Sequence, residues 1–511
     1  MTLTLRELLI GVETVGELTG LETPIHGIAY DSRQVRPGWL FVAIRGFHVD
    51  GHQFLSRAIA AGAAAVVVDA RHWNGESLAC LLIAVADSRV ALAPLAANFY
   101  RRPALSLRTI GITGTKGKST TTDLVNQVLE GGGFSTGMIS TVDFKVGARR
   151  WPNSTRQSTP EAPEIQGLLR EMVDVGCAYA VLEATSHALS ARWNRLGDCA
   201  FDVAVFLNVT HEHLDYHGSF EQYRADKARL FEMLGEDTRA EPWAIANADD
   251  PSHDYFLAAA PARARRLTFG VRAPADLRAH GVSAGPSGST LRVTTPWGET
   301  RLRLQIPGSF NVSNALAALG VALSQGVPLE RAAAALEAVP GVRGRMQPIN
   351  LGQPFDVIVD YAHNPDSFEQ VLGMLRPITR GRIIAVFGSA GERDRAKRAI
   401  QGEIASRYAD LLVLTDEDPR GEDPAAIIAE IAEGAERAGK RLGDGYLCIP
   451  DRNEAIRAAV AAAQPGDLVL LLGKGHEGNI IYASGPLPWD EAEVARKAVL
   501  ALGYRGDRDQ P

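Results

Sequence analysis

The sequence predicts an α/β protein of three domains, on three observations. Short apolar runs of about five residues alternate with helical stretches along most of the chain. Two breaks interrupt that alternation, Arg101-Arg102-Pro103 and Pro340-Gly341. The length of 511 residues suits roughly three domains at about 150 residues each. The expected domains are therefore residues 1–106, 107–340 and 341–511.

In the first, Gln53–Ala61 reads as a helix and Ala63–Val68 as a buried strand; Leu81–Val85 is a second strand and Val90–Tyr100 a further helix. The second opens with the strand Leu107–Thr113, a glycine-rich turn, and a helix with apolar positions at Leu124, Val125, Val128 and Leu129. Strands follow at Tyr179–Glu183, Val203–Asn208 and Trp243–Ala246, and the intervening helices imply a mainly parallel sheet covered on both faces. Leu291–Leu304 instead alternates around a Pro296-Trp297-Gly298 turn, which predicts an antiparallel excursion. Ala315–Leu323 and Leu329–Val339 are alanine-rich helices. The third region places strands at Val357–Asp360, Ile383–Phe387, Leu411–Thr415 and Leu468–Leu472, a Rossmann-like alternation.

Composition narrows the class of function. Hydrophobic residues make up 46% and charged residues 22%, the balance of a soluble globular protein. A formal net charge of −7 argues against a broad nucleic-acid surface, so no nucleic-acid partner is expected. Cys80, Cys177, Cys199 and Cys448 lie far apart with no metal spacing and read as buried, reduced thiols of a cytoplasmic protein. No basic stretch followed by an apolar core opens the chain, and runs such as Ala58–Val68 are too short and alanine-rich to span a bilayer. No membrane insertion is expected.

The strongest chemical signal is Gly114-Thr115-Lys116-Gly117-Lys118-Ser119-Thr120. It follows a strand and opens a helix, so backbone N–H groups face an anion, Lys118 adds a point charge and Ser119 reaches a phosphate-bound Mg²⁺. The strict spacing GxxxxGK[ST] fails, because position 112 is Ile and the earlier glycine is Gly111. A tight turn with an incidental lysine is the plainer alternative, and the strand–turn–helix context weighs against it. Carboxylate and imidazole groups close the following strands: Glu183 with Ser186 and His187 beyond it, and Asn208 followed by His211, His213 and His217. Ligands of open α/β sheets collect at that edge. The histidine spacing matches no familiar zinc pattern, so one or two of these groups are expected to act on Mg²⁺ with Ser119 and Glu183. Lys227 sits in a helical stretch, where a lysine is most often a solvated charge; nothing in the residues themselves singles it out.

Taken together the motifs resemble the Mur ligase family, most closely its diamino-acid-adding, MurE-type branch, over nearly the whole chain. The resemblance is carried by Asp31-Ser32-Arg33, Thr113–Thr120, Ser158-Thr159-Pro160-Glu161, Glu183-Ala184-Thr185-Ser186-His187 and His213-Leu214-Asp215-Tyr216-His217-Gly218. Further elements are Gly308–Asn314, Gly344-Arg345-Met346, Asp360–Pro365, Gly391-Glu392-Arg393-Asp394 and Gly473-Lys474-Gly475-His476-Glu477. It implies a UDP-binding N-terminal domain, a central ATPase and a Rossmann-like C-terminal domain. The implied reaction phosphorylates the D-glutamate γ-carboxylate of UDP-MurNAc-L-Ala-D-Glu with ATP, and an amine then displaces phosphate to form an amide. The enzyme is expected to be a monomer.

The resemblance also implies roles. Ser32 and the Gly46–Gly51 segment contact the uridine end; Ser158, Thr159 and Ser186 hold the muramoyl-peptide. Glu183 and His213 match metal-associated positions, and Lys227 matches the lysine that the family carbamylates into a Mg²⁺ ligand. Asn311, Asn314, Arg345 and Asp360 match nucleotide-binding positions. The family arginine six residues after the motif histidine is Trp193 here; counting back from Asn208 selects Arg195 instead, which implies a two-residue insertion. The aspartate that usually precedes the second motif histidine is Glu212.

The family's amino-acid motif falls at Asp416-Glu417-Asp418-Pro419-Arg420, with Arg393, Gly473 and Glu477 around it. Enzymes adding meso-diaminopimelate typically read Asp-Asn-Pro-Arg there. Arg420 is suited to clasp a carboxylate, while Asp418 in place of asparagine should repel a distal carboxylate and attract a side-chain ammonium. L-Lysine or L-ornithine is thus favoured slightly over meso-diaminopimelate. The rivals are a folylpolyglutamate synthase-like ligase, which the Asp31-Ser32-Arg33 domain weighs against, and a non-catalytic nucleotide-dependent regulator, disfavoured by Lys118, Glu183, His213 and Lys227 together.

Overall fold

The computed structural model describes residues 2–46, 49–73, 78–155, 157–210, 212, 214–236 and 241–505. They divide into two compact units, Met1–Asp276 with Ala317–Val327, and Leu277–Leu316 with Pro328–Pro511.

The first unit holds two main sheets and a small antiparallel pair, Leu3–Thr4 with Pro24–Ile25. In its N-terminal part, Gly27–Ala29, Trp39–Val42, Ala65–Asp69 and Leu81–Val85 run parallel, with Thr14–Val15 antiparallel at the edge. All five residues of Ala65–Asp69 are buried, as a strand covered on both faces requires. The expected helix before it is a 3₁₀ turn, Gly51–Phe54, capped by Asp50 and continued by Leu55–Ala60. Asp87 caps Ser88–Phe99, whose Ala91, Leu92, Leu95 and Phe99 are buried against this sheet while Ala93 and Ala96 pack on Ala162.

The larger sheet of this unit is ordered Arg149–Pro152, Asp143–Val146, Thr136–Ile139, Tyr179–Glu183, Arg108–Thr113, Phe201–Phe206, Trp243–Asn247 and Arg265–Gly270. The six strands from Thr136–Ile139 onward are parallel, and the first two add antiparallel pairs at one edge. Arg108–Thr113 lies between Tyr179–Glu183 and Phe201–Phe206, so the ends of these three strands open onto one edge. The helix Lys118–Gly131 leaves that edge, followed in the chain by Ala162–Asp174 and Phe220–Glu232.

In the second unit, Leu277–Gly285, Gly288–Thr295 and Gly298–Leu304 form a three-stranded antiparallel meander, one strand more than the sequence pattern implied. A seven-stranded sheet follows in the order Gln347–Pro348, Asp356–Asp360, Leu468–Leu472, Ile383–Phe387, Leu411–Leu414, Gly445–Cys448 and Arg441–Leu442. It is parallel except at the Gln347–Pro348 edge. Leu468–Leu472 is buried at every residue. Cys177 and Cys199 are buried as expected, but Cys80 is half-buried and Cys448 exposed. No helix among the described residues is long and apolar enough to cross a membrane.

Candidate functional site

The phosphate loop is built by close packing as much as by glycine freedom. Gly114 follows the strand Arg108–Thr113 so tightly on its neighbour that a Cβ there would lie 3.0 Å from Leu207 Cβ. Gly117, at φ 86°, takes the left-handed conformation that turns the chain into the helix Lys118–Gly131. Asn208 fixes the loop from the adjacent strand end: its carbonyl accepts from Thr115 N at 2.8 Å, and its amide accepts from Lys116 N and donates to Lys116 O. Lys118 Nζ donates to the carbonyls of Gly114 and Thr115, at 3.0 and 2.9 Å.

Glu183, buried at the end of Tyr179–Glu183, gathers three donors on Oε2: Ser119 Oγ at 3.0 Å, Thr141 N at 2.9 Å and Thr141 Oγ1 at 2.8 Å. Thr159 Oγ1 donates to the Glu183 carbonyl at 2.7 Å.

Lys227 is no surface lysine. It is 1% exposed on the helix Phe220–Glu232, donates to Gly114 O at 2.8 Å and sits 4.5 Å over the Tyr223 ring. Burial, and then the charge of Lys118, push its ammonium well below the usual lysine range. Tyr223 in turn meets Thr115 Oγ1 at 3.1 Å.

Beside the loop opens a polar cavity lined by Lys118, Lys227, Ser158, Thr159, Ser186 and Arg195, all six expected from the sequence. His187, one of the imidazoles expected near this edge, also lines it, as do Gln157, Thr185 and Tyr223, which the sequence gives no role. Arg195 donates to Thr159 O at 3.2 Å and pairs with Glu161 at 2.9 Å. Glu161 is shared with Arg89, at 3.1 Å, from the N-terminal part of the unit. The guanidinium of Arg89 lies 4.1 Å over the ring of Trp193, which is buried. Trp193 therefore packs beneath a cation while Arg195 reaches the cavity.

Other expected residues lie elsewhere. His213 falls outside the described residues, as do His211 and part of the Gly46–Gly51 segment. His217 is buried against Asp226 and Ser186. Ser32 is buried in the N-terminal part, flanked by an Asp31–Arg33 ion pair, and does not line the cavity. Thr120 is buried one residue beyond Ser119.

The second unit holds two further groups. In the first, Asn314 Nδ2 donates to Asn311 Oδ1 at 2.9 Å, and Asn311 Nδ2 to Pro307 O at 2.7 Å. In the second, Asp360 accepts from Met346 N and Ala362 N, and Arg345 lies 4.8 Å over the ring of Tyr361. Burial raises the Asp360 carboxyl although Arg345 opposes the shift. His476 is pushed down to about 3 by burial and then by Arg345.

Around the acidic motif, Lys474 Nζ is completely buried and pairs with Asp418 at 2.8 Å and Glu477 at 2.6 Å. Asp418 is thus not the uncompensated anion the sequence suggested; the lysine that neutralises it is far along the chain. Glu417 is buried beside Gly473, and its Oε2 has no hydrogen-bond partner among the described residues. Burial pushes its carboxyl up to about 7, against the pull of Lys397 and Lys474. Arg420 N donates to Ile481 O, whereas Arg393 is exposed.

Three family models match this chain: the Mur ligase family catalytic domain over residues 24–100, the Mur ligase middle domain over 112–322, and the Mur ligase glutamate ligase domain over 344–475. The chain belongs to the Mur ligase family. It is 62% identical to a UDP-N-acetylmuramyl-tripeptide synthetase of Roseiflexus sp. (strain RS-1), across 94% of this chain and 96% of that one. It is 42% identical to a UDP-N-acetylmuramoyl-L-alanyl-D-glutamate--2,6-diaminopimelate ligase of Geobacillus kaustophilus (strain HTA426), again across 94% and 96%. A solved structure of a ligase of that last description superposes with a TM-score of 0.70 at 30% identity, covering 98% of this chain and all of that one.

Proposed function

We propose that this chain is a ligase of peptidoglycan precursor synthesis that joins a diamino acid to the D-glutamate of UDP-MurNAc-L-Ala-D-Glu at the expense of ATP. The observation that carries the reading is that Lys118 and Lys227, at the phosphate loop, line the same cavity as Ser158, Thr159, Ser186 and Arg195. A phosphoryl donor and a carboxylate acceptor are thereby offered one space.

A carboxylate is a poor acyl donor, and phosphorylation of its γ-oxygen supplies a leaving group. Lys118 neutralises charge on the transferring phosphoryl group, and the loop N–H groups hold the other phosphates. Asn311, Asn314, Arg345 and Asp360 contribute further nucleotide contacts. Arg195 and the hydroxyls of Ser158, Thr159 and Ser186 hold the peptide arm. The amine then attacks the acyl carbon, phosphate leaves, and the amide forms.

Ser119 Oγ and the Glu183 carboxylate are hard oxygen donors held together at the loop, a set that suits Mg²⁺. When bound, Mg²⁺ would neutralise phosphate charge. Lys227, kept toward its neutral amine by burial, is suited to take up CO₂ as a carbamate and become a third oxygen donor; His213 is the proposed fourth residue of the set. Cytoplasmic action is the proposed setting, which four free cysteines suit, and a monomer the proposed state.

The amino acid is proposed to be L-lysine or L-ornithine ahead of meso-diaminopimelate. Arg420 would clasp a carboxylate, and Glu417, whose Oε2 lacks a partner among the described residues, would take an ammonium; Arg393, Gly473 and Glu477 complete the proposed pocket. Phosphate release from ATP with UDP-MurNAc-L-Ala-D-Glu and each of lysine, ornithine and diaminopimelate tests the reading. Release with at least one of them is expected, and none with any would overturn it.

A further inference from the structure

Ser186, His217 and Asp226 form a chain of hydrogen bonds beneath the cavity. His217 Nδ1 lies 2.6 Å from Asp226 Oδ2, and His217 Nε2 lies 3.1 Å from Ser186 Oγ. The imidazole is completely buried, and Asp226 nearly so. Gln222, one turn earlier on the same helix, donates to the other oxygen of Asp226 at 3.1 Å. The rings of Tyr216, Tyr223 and His187 surround the imidazole, with centroids 4.5, 5.0 and 5.3 Å away. Every part of the relay is therefore held in place.

A carboxylate only accepts, so Nδ1 carries a proton and the ring presents Nε2 to the serine. One hydrogen-bonding direction of the Ser186 hydroxyl is thereby spent on the ring, which fixes its rotamer. The remaining directions are left for the cavity that Ser186 lines. Asp226 also immediately precedes Lys227, so consecutive residues of one helix brace the serine and the phosphate loop.

We propose that His217 and Asp226 are positioning residues that hold the Ser186 hydroxyl in one orientation for the peptide arm of the muramoyl-dipeptide. The inference rests on the ligase reading above. Ser186 touches the substrate; the other two act through it. Sequence alone gives His217 no role of its own, because Asp226 and Ser186 lie 9 and 31 positions away along the chain.

Binding of UDP-MurNAc-L-Ala-D-Glu by calorimetry without ATP, together with KM values in turnover, tests this. Ser186→Ala should weaken binding of the nucleotide-peptide by about tenfold, the loss of one hydrogen bond. Asp226→Asn and His217→Ala should weaken it similarly, with KM for ATP unmoved. Combined with Ser186→Ala, each should add nothing, as expected of residues acting through one hydroxyl. His217→Gln, which keeps an amide near the Nε2 position, should recover part of the loss. Thermal melts confirm that each variant is folded; Asp226→Asn, which keeps the side chain's shape, serves if His217→Ala does not fold. Additive losses, or an equal rise in KM for ATP, would overturn the relay alone. Failure of the wild-type protein to bind the nucleotide-peptide would overturn the ligase reading and the relay with it.

Discussion

Lys474 and Asp418 form a buried ion pair at 2.8 Å, so the aspartate of the proposed amino-acid motif has its charge met from within the protein. On the proposed reading, selectivity for a side-chain ammonium would then fall to Glu417. Asp418→Asn, which leaves Lys474 paired with Glu477, is expected to keep the ratio of kcat/KM for lysine over meso-diaminopimelate within about twofold, while Glu417→Gln lowers it by about tenfold or more. The opposite pattern would return selectivity to Asp418.

Glu417 also predicts a pH dependence. Its carboxyl, raised to about 7 by burial, must lose its proton before pairing with an ammonium. KM for the diamino acid should fall by about tenfold between about pH 6 and about pH 8, with KM for ATP level across that range. Glu417→Gln should flatten the profile. The sign for stability is the reverse. A carboxyl raised from 4.5 to about 7 favours the folded state at low pH, and that contribution is lost as pH rises through about 7.

Lys227 offers a direct test of the carbamate. Lys227→Ala should lower kcat by about a hundredfold or more, as removal of a charge-stabilising group does. Added acetate or bicarbonate should restore part of the activity by supplying a carboxylate in the vacated space. An Ala variant with normal turnover would remove Lys227 from the chemistry.

The legibility of the sequence divides along physical lines. Strands buried on both faces, such as Tyr179–Glu183, Ile383–Phe387 and Leu468–Leu472, are continuous apolar runs and were readable to the residue. The edge strand Arg149–Pro152 and its neighbour Asp143–Val146 were not, because Lys145 and Arg150 break the apolar pattern. Those charges are paired: Lys145 with Glu130 and Arg150 with both Asp123 and Asp143. The phosphate loop was legible because its chemistry is local. Lys227 was not, since its burial depends on Gly114, 113 residues earlier, and only the family resemblance singled it out. Asp418 was misread for the same reason, its partner lying 56 residues on.

Arg452 and Glu491, both fully buried, make the last prediction. Arg452 donates to Glu491 at 2.6 Å and also to the carbonyls of Asp416 and Leu472, which immediately precede Glu417 and Gly473. Arg452→Met leaves the Glu491 carboxylate with Trp489 Nε1 as its side-chain partner among the described residues, and should cost about 3–5 kcal/mol in urea unfolding. Replacing both residues, Arg452→Met with Glu491→Leu, should recover most of that loss, because no buried charge is left alone. It should not recover the two carbonyl contacts. KM for the diamino acid is therefore expected to stay raised in the double variant while KM for the nucleotide-peptide stays at its wild-type value. Full recovery of both would mean that Arg452 supports the fold without steadying the amino-acid loops.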